Sequence, residues 1–206
     1  MNFDLDLDCN FDKKHSFVKR HASSAKIVDF TDKIEVDELM RLDVVNGLNF
    51  DLPKKDESVF FITSKVISLL DVVHYIETVC GQIEKAIFYV YTINDKGARY
   101  ISDLSNRTEL KLIISDLMNS QRQKERVISD VLEKGNVNFV FCHNHAKLMS
   151  IKIGDNYYTL TGSMNAGNNA RVETLQIYNS KQLYDFTENT FNFLADNFKI
   201  EKRYEK

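Results

Sequence analysis

Short apolar runs alternate with amphipathic stretches from residue 58 onward, and this alternation predicts strands separated by helices. Ser58–Thr63 (Ser-Val-Phe-Phe-Ile-Thr) reads as a strand, and Ile67–Glu84 carries Leu70, Val73, Ile76 and Val79 at helical spacing. Ala86–Ile93 is dense in β-branched and aromatic residues and reads as a buried strand, followed by a short helix over Ala98–Asn106. Glu109–Ser115 predicts a third strand, Arg122–Lys134 a helix stopped by Gly135, and Val137–Cys142 a fourth strand. Leu148–Ile153 and Tyr157–Thr161 flank Gly154-Asp155-Asn156 and read as a hairpin. Glu173–Tyr178 predicts one more strand. Gln182–Phe198 predicts a helix with Leu183, Phe186, Thr190, Phe193 and Leu194 on the face that packs on the sheet. Alternating β and α elements of this kind predict a layered α/β domain with helices covering a largely buried sheet.

The pattern begins only after a boundary. Residues 1–50 alternate acidic and apolar positions, turn to mixed charge, and end near Asn46-Gly47 and the single proline, Pro53. We read residues 1–50 as an N-terminal extension and residues 51–206 as one domain, since 206 residues suffice for one well-cored unit. Hydrophobic residues at 43% and charged residues at 28% exclude a disordered composition. The longest apolar runs fall well short of the roughly 20 residues that cross a bilayer. Met1 to Asp8 lacks the basic start and continuous apolar stretch of a secretory signal, so a cytoplasmic location is expected. Cys9, Cys80 and Cys142 form no CxxC pair and are expected to be reduced, partly buried thiols.

Charge narrows the partners. A net charge of −3 excludes the strongly basic class that attracts polyanions as a whole, so contact with nucleic acid would need a local patch. Lys111, Arg122, Lys124, Arg126, Lys147, Lys152 and Arg171 are candidates, although solvated charge on helix and strand faces accounts for them equally simply.

Two clusters carry chemistry. His145-Ala146-Lys147 precedes the hairpin and Gly162-Ser163-Met164-Asn165 follows it, so the hairpin brings both to one end of a sheet. An imidazole nucleophile beside cationic, hydroxyl and amide donors suits attack on a phosphodiester. His143-Asn144-His145 also invites a metal-pair or HNH reading, but histidines at i and i+2 need further ligands, and no nearby set has recognisable spacing. Asn168 and Asn169, after Gly167, fit a turn.

The ordered set His145-x-Lys147, Gly162-Ser163-x-Asn165 and Glu173 at a strand start resembles the phospholipase D-like superfamily, whose motif is HxK, an aspartate, then GSxN. The motif spans residues 137–179. The resemblance implies an α/β/α sandwich with a mixed sheet and metal-independent phosphodiesterase chemistry, with no cofactor and no metal. It makes His145 the nucleophile, Lys147 and Asn165 the groups that bind phosphate oxygens, Ser163 an orienting donor, and Glu173 the acceptor of a hydrogen bond from the imidazole. Such chemistry needs two histidines. His15, His21, His74 and His143 lack a lysine two residues on, and Gly162-Ser163 is the chain's only Gly-Ser pair. The chain therefore holds half a site, and single-motif members of the family complete theirs as homodimers, with a two-fold axis through the shared centre.

One position departs from the family. Its aspartate falls five residues after the lysine, where this chain has Lys152. Either Asp155, which precedes Gly162 by the usual interval, is the structural support, together with Gly162, through a hairpin lengthened by three residues, or the aspartate is lost, as in a degenerate enzyme. Three functions compete. The first is an endonuclease or phosphodiesterase acting on DNA or RNA as a homodimer. The second is a catalytically degenerate nucleic-acid-binding or regulatory protein of a phage or mobile element, consistent with the Lys/Asn/Ile-rich composition. The third is a phospholipid-cleaving enzyme, which should show a basic or apolar amphipathic helix for a membrane surface.

Overall fold

The computed structural model describes residues 51–63, 67–116, 129, 137–166 and 172–197. Among the described residues seven strands form one sheet: β1 (Ser58–Thr63), β2 (Lys85–Val90), β3 (Glu109–Ser115), β4 (Val137–Cys142), β5 (Leu148–Ile153), β6 (Asn156–Gly162) and β7 (Glu173–Asn179). Their spatial order is β1-β7-β6-β5-β2-β3-β4. β2, β3 and β4 run parallel, and β1, β7, β6, β5 and β2 pair antiparallel in succession. The sheet is therefore mixed. Helices α1 (Leu69–Cys80), α2 (Asp95–Ser105) and α3 (Lys181–Asn197) complete the described elements. The helix expected over Arg122–Lys134 lies outside the described residues, apart from residue 129, as does the extension over residues 1–50.

Local chemistry sets the helix ends. Ser68 adopts extended backbone and caps α1: its Oγ accepts from Asp71 N at 3.2 Å, and the Asp71 carboxylate accepts from Ser68 N at 2.7 Å. The helix stops at Gly81, whose φ of 104° places it outside the region open to other residues. The expected span to Glu84 is shortened for that reason. Asn94 caps α2 by accepting from Gly97 N at 2.8 Å, which starts that helix before the expected Ala98.

Two hydrophobic layers sandwich the sheet. On one face Leu70, Val73 and Ile76 of α1 and Ile101 and Leu104 of α2 meet Phe88, Leu112, Met149, Ile151, Leu160 and Ile177. Each such side chain, fully withdrawn from water, stabilises the fold by about 2 kcal/mol. On the other face Tyr184 and Phe191 of α3 cover Ile87, Tyr89, Ile113 and Val140. The α3 face is not the expected one: Phe186 and Phe193 are 67% and 64% exposed, whereas Tyr184, Thr187 and Phe191 are buried. Of the expected stripe Leu194 still packs against this layer, and Thr187 enters it with its hydroxyl satisfied by donating to Leu183 O at 2.9 Å. Val79 on α1 is likewise exposed.

The segment leading into β1 is tied down by Asn179, which is almost fully buried. Its Nδ2 donates to Pro53 O at 3.2 Å and to Asn156 Oδ1 at 2.8 Å, while its Oδ1 accepts from Tyr157 N at 3.0 Å. Cys80 and Cys142 are free, half-buried thiols. Among the described residues no helix is long and apolar enough to cross a membrane.

Candidate active site

The site is built at one end of the sheet by the antiparallel hairpin β5–β6. Leu148 pairs with Thr161, so the residues before β5 and those after β6 emerge side by side. They line an open cleft of about 770 Å³ that includes His145, Lys147, Gly162, Ser163, Asn165 and Glu173, along with Tyr91, Thr161 and Val172. Six of the seven residues expected at the site thus share one cleft.

Each is held by identifiable contacts. Asn144 clamps the loop: its Nδ2 donates to Val90 O at 3.3 Å and its Oδ1 accepts from Ala146 N at 2.9 Å. The next residue, His145, is exposed, and its ring lies against that of Tyr91, with centroids 4.3 Å apart and planes at 59°. Lys147 Nζ sits 4.9 Å from the Tyr91 centroid and donates to His145 O at 3.1 Å. Burial lowers the Lys147 pKa from the ordinary lysine range, against the pull of the Glu173 carboxylate, which favours the ammonium. Ser163 is pinned to β7: its backbone N–H donates to Thr174 O at 3.1 Å, its Oγ accepts from Thr174 N at 2.9 Å, and its hydroxyl donates to Glu173. Glu173 is buried, and it accepts this hydrogen bond from Ser163 rather than one from the His145 ring. Asn165 accepts from Leu69 N at 3.1 Å through its carbonyl, while its side-chain Oδ1 is buried with no hydrogen-bond partner among the described residues.

No family model matches the chain, and no curated protein matches it. Solved structures do. NucT from Helicobacter pylori aligns at 14% identity over 69% of this chain and 98% of its own, with a TM-score of 0.50. Nuc from Salmonella typhimurium, a phospholipase D family member, aligns at 15% identity over 69% of this chain and 97% of its own, also at 0.50. The chain has the phospholipase D-like fold. A polyphosphate kinase from Porphyromonas gingivalis shares it at 11% identity and a TM-score of 0.52, over 73% of this chain and 27% of the kinase.

On this phospholipase D-like scaffold Asp155 does not join the cleft. It stands in the turn beside Gly154, at the opposite end of the hairpin, about 20 Å away at the rise of an extended strand. Lys152, at the family's aspartate position, is also remote: its ammonium pairs with Glu84, whose other oxygen accepts from Gly154 N at 3.1 Å. The hydrogen bonds from Lys152 and Gly154 hold the exposed Glu84 carboxyl below its usual range. A carboxylate thus still ties the hairpin end, supplied by the lead into β2. Lys152→Asp would face Glu84 with a second negative charge. It is expected to lower the melting temperature while leaving turnover unchanged, read by thermal denaturation alongside a cleavage assay.

Of the candidate basic residues, Lys147 lines the cleft. Lys111 is engaged on the α3 face by Glu188 at 2.7 Å, Lys152 is at the far end, and Arg122, Lys124, Arg126 and Arg171 lie outside the described residues. His143 points away to Asp116, Nδ1 to Oδ1 at 3.3 Å, and no group of three or more His, Cys, Asp or Glu side chains among the described residues could hold a metal ion. Sequence reasoning missed Tyr91, which it placed inside a buried strand. The usable signal was its position at the carboxyl end of a strand in an α/β sheet, where ligand sites collect.

Proposed function

We propose that this protein is a metal-independent phosphodiesterase acting on nucleic acid, with His145 as nucleophile in a centre shared by two copies of the chain. The observation that carries the reading is the convergence of His145, Lys147, Ser163, Asn165 and Glu173 on one open cleft of a phospholipase D-like fold. In this reading a ring nitrogen of neutral His145 attacks phosphorus, forming an N–P bond as the bond to the leaving oxygen breaks. The protonated His145 of the second copy gives its proton to that oxygen. The second histidine, now neutral, takes a proton from water, whose oxygen displaces the first from phosphorus. Lys147 supplies positive charge to the non-bridging oxygens, and the Asn165 amide donates to them. Ser163, fixed by Glu173 and Thr174, keeps the Gly162–Asn165 segment in place.

The two-fold reading rests on the cleft holding a single histidine among its lining residues. Ile62 and Phe60 on β1 and Val172 at the cleft rim are 57–62% exposed, and Ile62 pairs in register with Thr174, one residue from Glu173. This apolar edge beside the site is surface that a second copy would cover. The phospholipid reading is weaker. α3 exposes Phe186 and Phe193, but Asp185, Glu188 and Asp196 accompany them, the wrong charge for an anionic lipid surface.

The test is incubation of the purified protein, with EDTA present, with single- and double-stranded DNA, RNA and bis-p-nitrophenyl phosphate. Cleavage of a polynucleotide that survives the chelator supports the reading. Tight nucleic-acid binding without turnover would replace it with the degenerate binding module. Lys147→Ala and Asn165→Ala are each expected to lower kcat on the order of 10²-fold, as removal of a transition-state donor does. Sedimentation of a fully active monomer would overturn the shared centre.

A further inference from the structure

The Glu173 carboxylate expected to accept from His145 accepts from the Ser163 hydroxyl instead, leaving an exposed imidazole whose contact is aromatic. Resting on the phosphodiesterase reading above, we propose that Tyr91 is a positioning residue for that site. Its ring is a platform that fixes both the orientation of the His145 imidazole and the place of the Lys147 ammonium.

The backbone delivers these groups to one spot. β2 and β5 pair antiparallel with Tyr89 opposite Leu148, so continuing the register two residues past Tyr89 sets Tyr91 opposite Ala146, with His145 and Lys147 on either side. The Asn144 clamp to Val90 O holds the loop at that distance. The His145 ring then rests at 4.3 Å in a tilted arrangement, within the range of favourable aromatic pairs. The Lys147 ammonium, 4.9 Å from the same centroid, lies inside the reach of a cation–π contact. Its further hydrogen bond to His145 O closes the triangle. An exposed histidine and a lysine otherwise sample several rotamers, and restricting both before substrate arrives places attacking nitrogen and stabilising charge for one phosphate. Tyr91 belongs to neither hydrophobic layer, so its ring is not required for the core.

The ring face, not the phenol hydroxyl, is the working part, and this separates the variants. Tyr91→Phe is expected to keep kcat on bis-p-nitrophenyl phosphate within about 3-fold. Tyr91→Leu, with similar bulk and no π-face, is expected to lose on the order of 10²-fold in kcat, the cost of roughly an ångström of misplacement, with KM little changed. A readout independent of turnover is the proton NMR spectrum of the His145 ring, assigned with His145→Ala. Stacked on Tyr91, its ring protons should be shifted from free-histidine positions in wild type and Tyr91→Phe, and should return to them in Tyr91→Leu. Equal losses in Phe and Leu, unchanged kcat in Leu, or His145 resonances indifferent to Tyr91→Leu would each overturn the platform. A wild-type protein that cleaves nothing overturns the phosphodiesterase reading instead, while the His145 resonances still uphold or overturn the contact.

Discussion

Replacing His145 with alanine is expected to abolish phosphodiester cleavage, a loss on the order of 10⁴-fold or more, because in the proposed mechanism the residue is the nucleophile and, in the second copy, also the proton donor. The fold should be untouched, since the side chain is exposed and contributes to neither hydrophobic layer. The melting temperature should therefore match wild type. Mixing supplies a sharper form of the experiment. In a shared centre, one wild-type and one His145→Ala chain leave a single imidazole. Refolding wild type with a ninefold excess of the variant should then reduce activity per wild-type chain in step with the loss of wild-type pairs. Turnover that tracks wild-type chains one for one would show that each chain works alone, and retained activity in His145→Ala itself would remove the mechanism.

Gly162→Ala is expected to have the second largest effect, acting through backbone alone. A Cβ at this position would lie 2.1 Å from Thr174 O, 2.9 Å from the Thr174 carbonyl carbon and 3.0 Å from Leu175 Cα. All three are backbone atoms, with no flexible side-chain end to swing aside, so β6 and β7 must part at the point where Gly162 pairs with Leu175. That separation breaks the hydrogen bonds holding Ser163 to Thr174 and frees the serine from Glu173. Overpacking and the lost hydrogen bonds together cost on the order of 3 kcal/mol, and misplacement of Ser163 and Asn165 costs on the order of 10²-fold in kcat. Urea denaturation and steady-state kinetics read the two effects. A variant with wild-type stability and turnover would show that the strands carry no such constraint.

The positions of these residues explain how much was legible in the chain. β1, β3, β4 and β5 begin and end where the apolar runs do, since each run fills a strand flanked by polar residues or turns. The two motif clusters were legible because a hairpin is a local object: six residues out and seven back fix their ends beside each other, whatever surrounds them. Counting back from Gly162 finds Asp155 at the familiar interval, and the tight turn at Gly154, with φ of 54°, sets it at the hairpin tip, so any support it gives acts at a distance from the cleft. The tie at that end comes from Glu84, far off in sequence, and no interval counted within the motif could reveal it.

By itself, then, the sequence determined the order of strands and helices, the layered class, and the presence of imidazole, ammonium, hydroxyl and amide groups at one end of a hairpin. These follow from side-chain periodicity and turn chemistry, which act over a few residues. Only the tertiary structure decided which stripe of α3 is buried, that Glu173 is engaged by Ser163, and that Tyr91 lies beneath both His145 and Lys147. Each of these is a contact between strands or helices distant in the chain, governed by the sheet's order and register. A pairing of β2 with β5 brings residue 91 against residue 145, and nothing in either segment alone specifies that neighbour.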